Sequence, residues 1–213
     1  MDDPASSFAF FFDSTTAVDE PTALISISKL LLVVFLVLAN GFFVASEFAL
    51  VAVRKTRIEA LAADNRSAQR VLNILNNLSA YISATQLGIT LASLGLGWVG
   101  EPAVAGLIEP ALVYLGQVTG AAFLASGPVM HAISFAIAFS FITFLHIVFG
   151  ELAPKTAALE LSERIAMLVA LPLEVFYKIF SYPIRALDWT GTRTVRLFGL
   201  LPSGEHGSSY SED

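Results

Sequence analysis

Residues 149–157 read FGELAPKTA, a glycine, an acid and a proline at the end of a long apolar run. In an α-helix the N–H of residue 154 bonds to the carbonyl of residue 150. Pro154 has no N–H, so the Gly150 carbonyl loses that partner. The freed oxygen lies one residue from the Glu151 carboxylate, and glycine has no side chain to screen it. A carbonyl beside a carboxylate at a break in a membrane helix is a half-site for a hard cation. The same residues admit a plainer reading, in which Pro154 ends the helix at the membrane surface and Glu151 pairs with Lys155.

Two other stretches carry polar groups among apolar neighbours. Ser79, Ser83, Gln86, Thr90 and Ser93 are spaced four, three, four and three apart, which puts them on one helical face. They supply neutral oxygens, the ligand type that Mg²⁺, Ca²⁺ or Na⁺ accepts, or they serve only as inter-helix hydrogen bonds. Ser93 stands apart because Gly88, Gly95, Gly97 and Gly100 surround it. In ANGFFVASEFALVAVRK, Asn40 and Glu47 are seven apart and share a face, whereas Ser46 points about 100° away from Glu47. Ser46 can therefore donate an oxygen inward while Glu47 pairs with a base near the membrane surface. An acid inside a membrane is a functional-site hypothesis by default. His146 reads as a hydrogen-bonding packing residue, since HIVFGE lacks the HExxH pattern of a zinc helix.

The elements that must position these groups are membrane helices. The chain has 213 residues, 55% hydrophobic and 14% charged, with a mean hydropathy of +0.71, too apolar for an ordinary soluble domain. Apolar stretches at 24–53, 78–115 and 129–149 match or exceed the ~20 residues that cross a bilayer core. The glycines and Pro102 predict that the second is broken or kinked. Residues 1–28 and 116–128 contain no Lys or Arg, whereas basic residues follow the first and third stretches. The positive-inside rule then places the N-terminus outside and the basic segments in the cytoplasm. Lys29 is the exception, near the outer end of the first span. Residues 161–189 read as a helix kinked at Pro172 and lying along the inner membrane surface, and 56–77 as a second amphipathic segment. The fold class expected is an all-α polytopic membrane protein, with three transmembrane helices and juxtamembrane amphipathic helices on the cytoplasmic side.

Several classes find no support. There is no cysteine for a disulfide or thiolate site. The net charge of −6 and the lack of basic runs with interleaved aromatics argue against nucleic acid. The acidic start does not resemble a cleaved signal peptide. No nucleophile–base pair or phosphate-binding loop is visible, so an enzyme is not expected.

ANGFFVASEFALVAVRKTRIEAL, QLGITLASLGLGWVGEP and FGELAPKTAAL, in that order, resemble the transmembrane domain of the CorC bacterial magnesium exporters and the animal cyclin M (CNNM) proteins, whose bacterial relatives are often labelled hemolysin C-like. The likeness covers residues 25–200. It implies Mg²⁺ efflux, proposed for the family to be exchanged for Na⁺, by a homodimer with a Mg²⁺ site near mid-membrane. By motif it places Ser46, Ser93, Gly150 and Glu151 at the metal, with Asn40, Glu47, Gln86, Thr90, Pro154 and Lys155 as secondary candidates around the cavity. Some relatives have asparagine where this chain has Ser93. It also implies a division into an extracytoplasmic segment 1–23, the membrane domain 24–200, and a polar linker 201–213 towards a pair of CBS domains absent here. The expected location is the bacterial inner membrane. The rival expectation is a module that senses Mg²⁺, or only anchors CBS domains that regulate another transporter.

Overall fold

The computed structural model describes residues 23–120 and 127–199. The expected N-terminal segment and the polar linker 201–213 lie outside the described residues. Every regular element described is helical: α1 (Ala23–Ala52), α2 (Lys55–Ala62), α3 (Arg66–Leu75), α4 (Leu78–Thr119), α5 (Gly127–Leu145), a π-helical turn (His146–Leu152), α6 (Ala153–Glu160), α7 (Ser162–Ile179) and α8 (Ser181–Leu197). Three helical stretches are long and apolar enough to cross a membrane: 26–52, 78–119 and 127–160. The chain is an all-α integral membrane protein.

Helix α1 is the hub. Val33, Val37, Asn40 and Val44, spaced four, three and four, are buried, while Leu31, Phe35 and Leu38 are largely exposed. That division follows from the 3.6-residue period, with the exposed face apolar because its solvent is lipid. One end of α1 joins an apolar cluster in which Val33 and Val37 meet Leu96, Ala103, Val104 and Ala105 of α4 and Ala138 and Ile142 of α5. Its other end joins a second cluster, in which Ala49, Leu50 and Val53 meet Ile58, the α3 residues Ala68, Val71 and Ile74, and Ala166, Ala170 and Leu173 of α7. A belt of short helices thus packs around the base of the first span. Asn65 begins α3, its side chain accepting hydrogen bonds from the N–H groups of Ser67 and Ala68, which satisfies donors that the first turn leaves open.

The helical irregularities fall elsewhere than the prolines and glycines predict. α4 runs unbroken through Pro102 and Pro110; its 42 residues span about 63 Å, long enough to absorb two missing rungs. α7 likewise continues through Pro172. The sharp turn, 88°, comes between α7 and α8, at Phe180, and Pro183 then sits in the first turn of α8, where its missing N–H costs nothing. The departure from α geometry in the spans is the π turn of the third.

Close backbone approach is concentrated at Gly41. A Cβ there would lie 2.8 Å from the Phe149 carbonyl oxygen and 2.9 Å from Pro154 Cγ. Gly97, by contrast, has open space. Gly41→Ala is expected to destabilise the protein by about 1–3 kcal/mol, read as a lower unfolding midpoint in detergent, while Gly97→Ala costs nothing. Equal midpoints for the two variants would show that α1 does not meet the third span this closely.

Candidate ion site at the junction of the three spans

Between the two apolar clusters lies a polar layer, and Asn40 is its centre. The side chain is fully buried. Its amide nitrogen donates to the Gly150 carbonyl at 3.0 Å, and its amide oxygen accepts from the Ser93 hydroxyl at 3.1 Å. One side chain of the first span therefore holds the second and the third. Only this orientation of the amide satisfies both partners, because a carbonyl must face a donor. His146 Nε2 lies 3.4 Å from Ser93 Oγ. The same nitrogen is 3.7 Å from Glu151 Oε1.

The π turn creates this gathering. In an α-helix residues five apart point about 140° from one another. Bonding from i to i+5 closes that angle, and so brings His146 and Glu151 to one side. The Ala153 N–H bonds to the Val148 carbonyl, five residues back. The next rung of that ladder would run from residue 154 to Phe149, and Pro154 cannot make it. The missing donor is thus aimed at Phe149, whose oxygen lies against Gly41, and not at Gly150 as an α register implies. The Gly150 carbonyl has its partner in Asn40, and one lone pair remains for a second. Gly150 itself is required by space: a Cβ would stand 2.8 Å from the His146 ring.

Four of the sequence-predicted residues meet here: Asn40, Ser93, Gly150 and Glu151. The others are placed elsewhere. Ser46 is buried, but its hydroxyl donates to the Phe42 carbonyl of its own helix, about 9 Å along the axis from Asn40. Glu47 accepts a long bond of 3.4 Å from Thr85. Lys155 lies over the Phe48 ring at 4.6 Å, so the pairing of Lys155 with Glu151 does not form. Pro154 packs on Gly41. Gln86 and Thr90 face a groove of about 1200 Å³ between α4 and α8, where Ser79 and Ser83 both donate to Asp188. The stripe divides along the helix axis: Ser93 lies about 21 Å from Ser79, level with Asn40, whereas the first four residues lie level with α8.

His146 is the member that sequence reasoning set aside. Its signal was the five-residue spacing to Glu151 just before a proline, which acquires meaning only in a π register.

The donors are hard oxygens: one carboxylate half exposed to solvent, a backbone carbonyl, a hydroxyl and an amide. That set suits Mg²⁺ or Na⁺ better than a transition metal. Among the described residues no group of three or more His, Cys, Asp and Glu gathers, so a site here draws on neutral oxygens. Asn40→Asp keeps the size but sets an acceptor against the Gly150 carbonyl. It is expected to lower stability by about 1–3 kcal/mol, as much as Asn40→Ala, while Ser46→Ala costs less. An Asp variant with the wild-type midpoint in thermal unfolding would mean that the amide nitrogen holds nothing.

A family model described as the cyclin M transmembrane N-terminal domain matches residues 31–213. The UPF0053 proteins YhdT and YhdP of Bacillus subtilis are 43% and 41% identical to this chain over 188 residues, 88% of it. MT1889 of Mycobacterium tuberculosis is 35% identical over 180 residues. The chain spans 39%, 40% and 49% of these three relatives' lengths. The match takes in most of the first span, the other two spans and the belt, and the chain belongs to the cyclin M transmembrane domain family.

Proposed function

We propose that this domain moves Mg²⁺ out of the cell by alternating access, with Na⁺ as the coupling ion that the family resemblance implies. The observation that carries the reading is the convergence of Asn40, Ser93 and Gly150 from three spans beside the Glu151 carboxylate. Glu151 supplies the charge, and Ser93 and the Gly150 carbonyl supply neutral oxygens. Ser46 joins them only if α1 shifts or rotates, which makes its engagement a mark of a second conformation. Mg²⁺ demands near-octahedral geometry at about 2.0–2.1 Å and gives up its waters reluctantly. One carboxylate with few fixed oxygens holds it weakly enough to release. A π turn is a point where a small change of register dismantles such a site, and π bulges occur often at functional sites. The N-terminus lies outside and the helical belt in the cytoplasm of the inner membrane, as the distribution of Lys and Arg supports. A homodimer, linked in the full-length protein to CBS domains, completes the assembly.

A second reading has its own support. The π turn runs without interruption into α6, and α6 into the belt, so occupancy at Glu151 can be felt there without any ion crossing. On this reading the domain senses Mg²⁺, or anchors CBS domains, for another transporter.

Purified protein in liposomes loaded with a Mg²⁺-sensitive dye separates the readings. Transport is expected, and is expected to rise with an opposing Na⁺ gradient, whereas a sensor binds Mg²⁺ without moving it. Glu151→Gln is expected to abolish both flux and Mg²⁺-dependent thermal stabilisation while the protein still folds. Wild-type flux from that variant would refute the site.

A further inference from the structure

Helix α8 leaves most of its surface uncovered. Ile184 is its one fully buried residue among those described, whereas Tyr182, Trp189, Leu197 and Phe198 are largely exposed. Along one side, Arg185, Asp188, Trp189, Thr192, Arg193 and Arg196 line a concavity of about 350 Å³. Their spacing of three, one, three, one and three is that of a single helical face. The Arg193 guanidinium lies 5.3 Å from the Trp189 ring. Asp188 does not cancel the charge of this face. Its carboxylate turns to the hydroxyls of Ser79 and Ser83 from α4, and its single charge is outnumbered by those of Arg185 and Arg193 alone.

We propose that this face holds the headgroup phosphate of an anionic phospholipid in the leaflet against which α8 lies. Guanidinium groups present a planar fork of donors that matches a phosphate, and an indole beside them sits well at headgroup depth. The exposed Tyr182, Leu197 and Phe198 on the same helix favour lipid over free phosphate, because a soluble anion leaves those apolar groups in water whereas the boundary between headgroups and acyl chains covers them. The 88° turn between α7 and α8 keeps the two from forming one straight span, and α8 by itself carries Arg185, Asp188, Arg193 and Arg196, a charge density that suits the membrane surface better than its interior. A basic segment at the cytoplasmic face also meets the leaflet that carries anionic lipid. The proposal rests on the membrane placement of α8 and not on ion movement, so it stands or falls separately from transport.

The chain's tryptophans number two, Trp98 and Trp189. The Trp98→Phe variant therefore reports from Trp189 alone. In mixed vesicles, phosphatidylglycerol with brominated acyl chains is expected to quench Trp189 at about tenfold lower mole fraction than brominated phosphatidylcholine. Arg185→Gln with Arg193→Gln removes that preference with an unchanged unfolding midpoint, and the double lysine variant, which keeps the charge and loses the forks, retains only part of it. The idea is overturned by equal quenching from the two lipids, by a preference that survives the glutamine pair, or by an undiminished preference in the lysine pair. Displacement of phosphatidylglycerol by millimolar inorganic phosphate would also overturn it, by identifying the ligand as a soluble anion.

Discussion

A buried amide in a membrane protein has few ways to be satisfied, and Asn40 uses both of its ends. Its nitrogen takes up the Gly150 carbonyl and its oxygen takes up the Ser93 hydroxyl, so a single side chain fixes how three spans meet. Apolar contact alone does not do this, because lipid tails compete on equal terms with leucine and valine for a helix face. Above and below Asn40 the clusters around Val37 and Leu50 supply close packing. In the layer between them hydrogen bonds set the geometry, and polar oxygens are held at a fixed place inside the membrane.

The demand that backbone groups find partners in a medium without water explains the form of the third span. Pro154 removes a donor, the π turn moves the consequence from Gly150 to Phe149, and Gly41 lets α1 come within contact of that oxygen. The same turn brings His146 and Glu151 together. The environment of that carboxylate would change sharply if the turn took α geometry, which points the two side chains about 140° apart. On the proposed reading, an ion at Glu151 and the register of the turn would be coupled through adjoining residues, without a distant relay.

Much of this was legible from residue types. The three spans followed from the length of the apolar runs, and GELAP marked the place where the third one departs from a regular helix. Ser93 and Asn40 were visible as polar residues on apolar helices. The π register was not visible, because no residue encodes it; it arises from one proline, one glycine and the packing of α1 against both. Without it His146 and Glu151 point apart, and His146 looked like packing. Pro172 does not end its helix, because a proline can be carried within a helix that continues past it. The sharp bend came instead at Phe180, before a proline placed where a helix tolerates it. The polar stripe on α4 divides along its length, since its first four residues lie level with α8 and Ser93 lies level with Asn40.

The central claim is that oxygens arranged around Asn40, together with Glu151, take a divalent ion. The most direct measurement is diffraction from crystals grown with Mn²⁺ in place of Mg²⁺, using the anomalous signal to find the ion. One peak per chain is expected, in direct contact with the Glu151 carboxylate and the Gly150 carbonyl, with Asn40 still donating to Gly150. A peak confined to the Asp188 groove, or no peak within the membrane layer while Glu151 remains turned to His146, would contradict it.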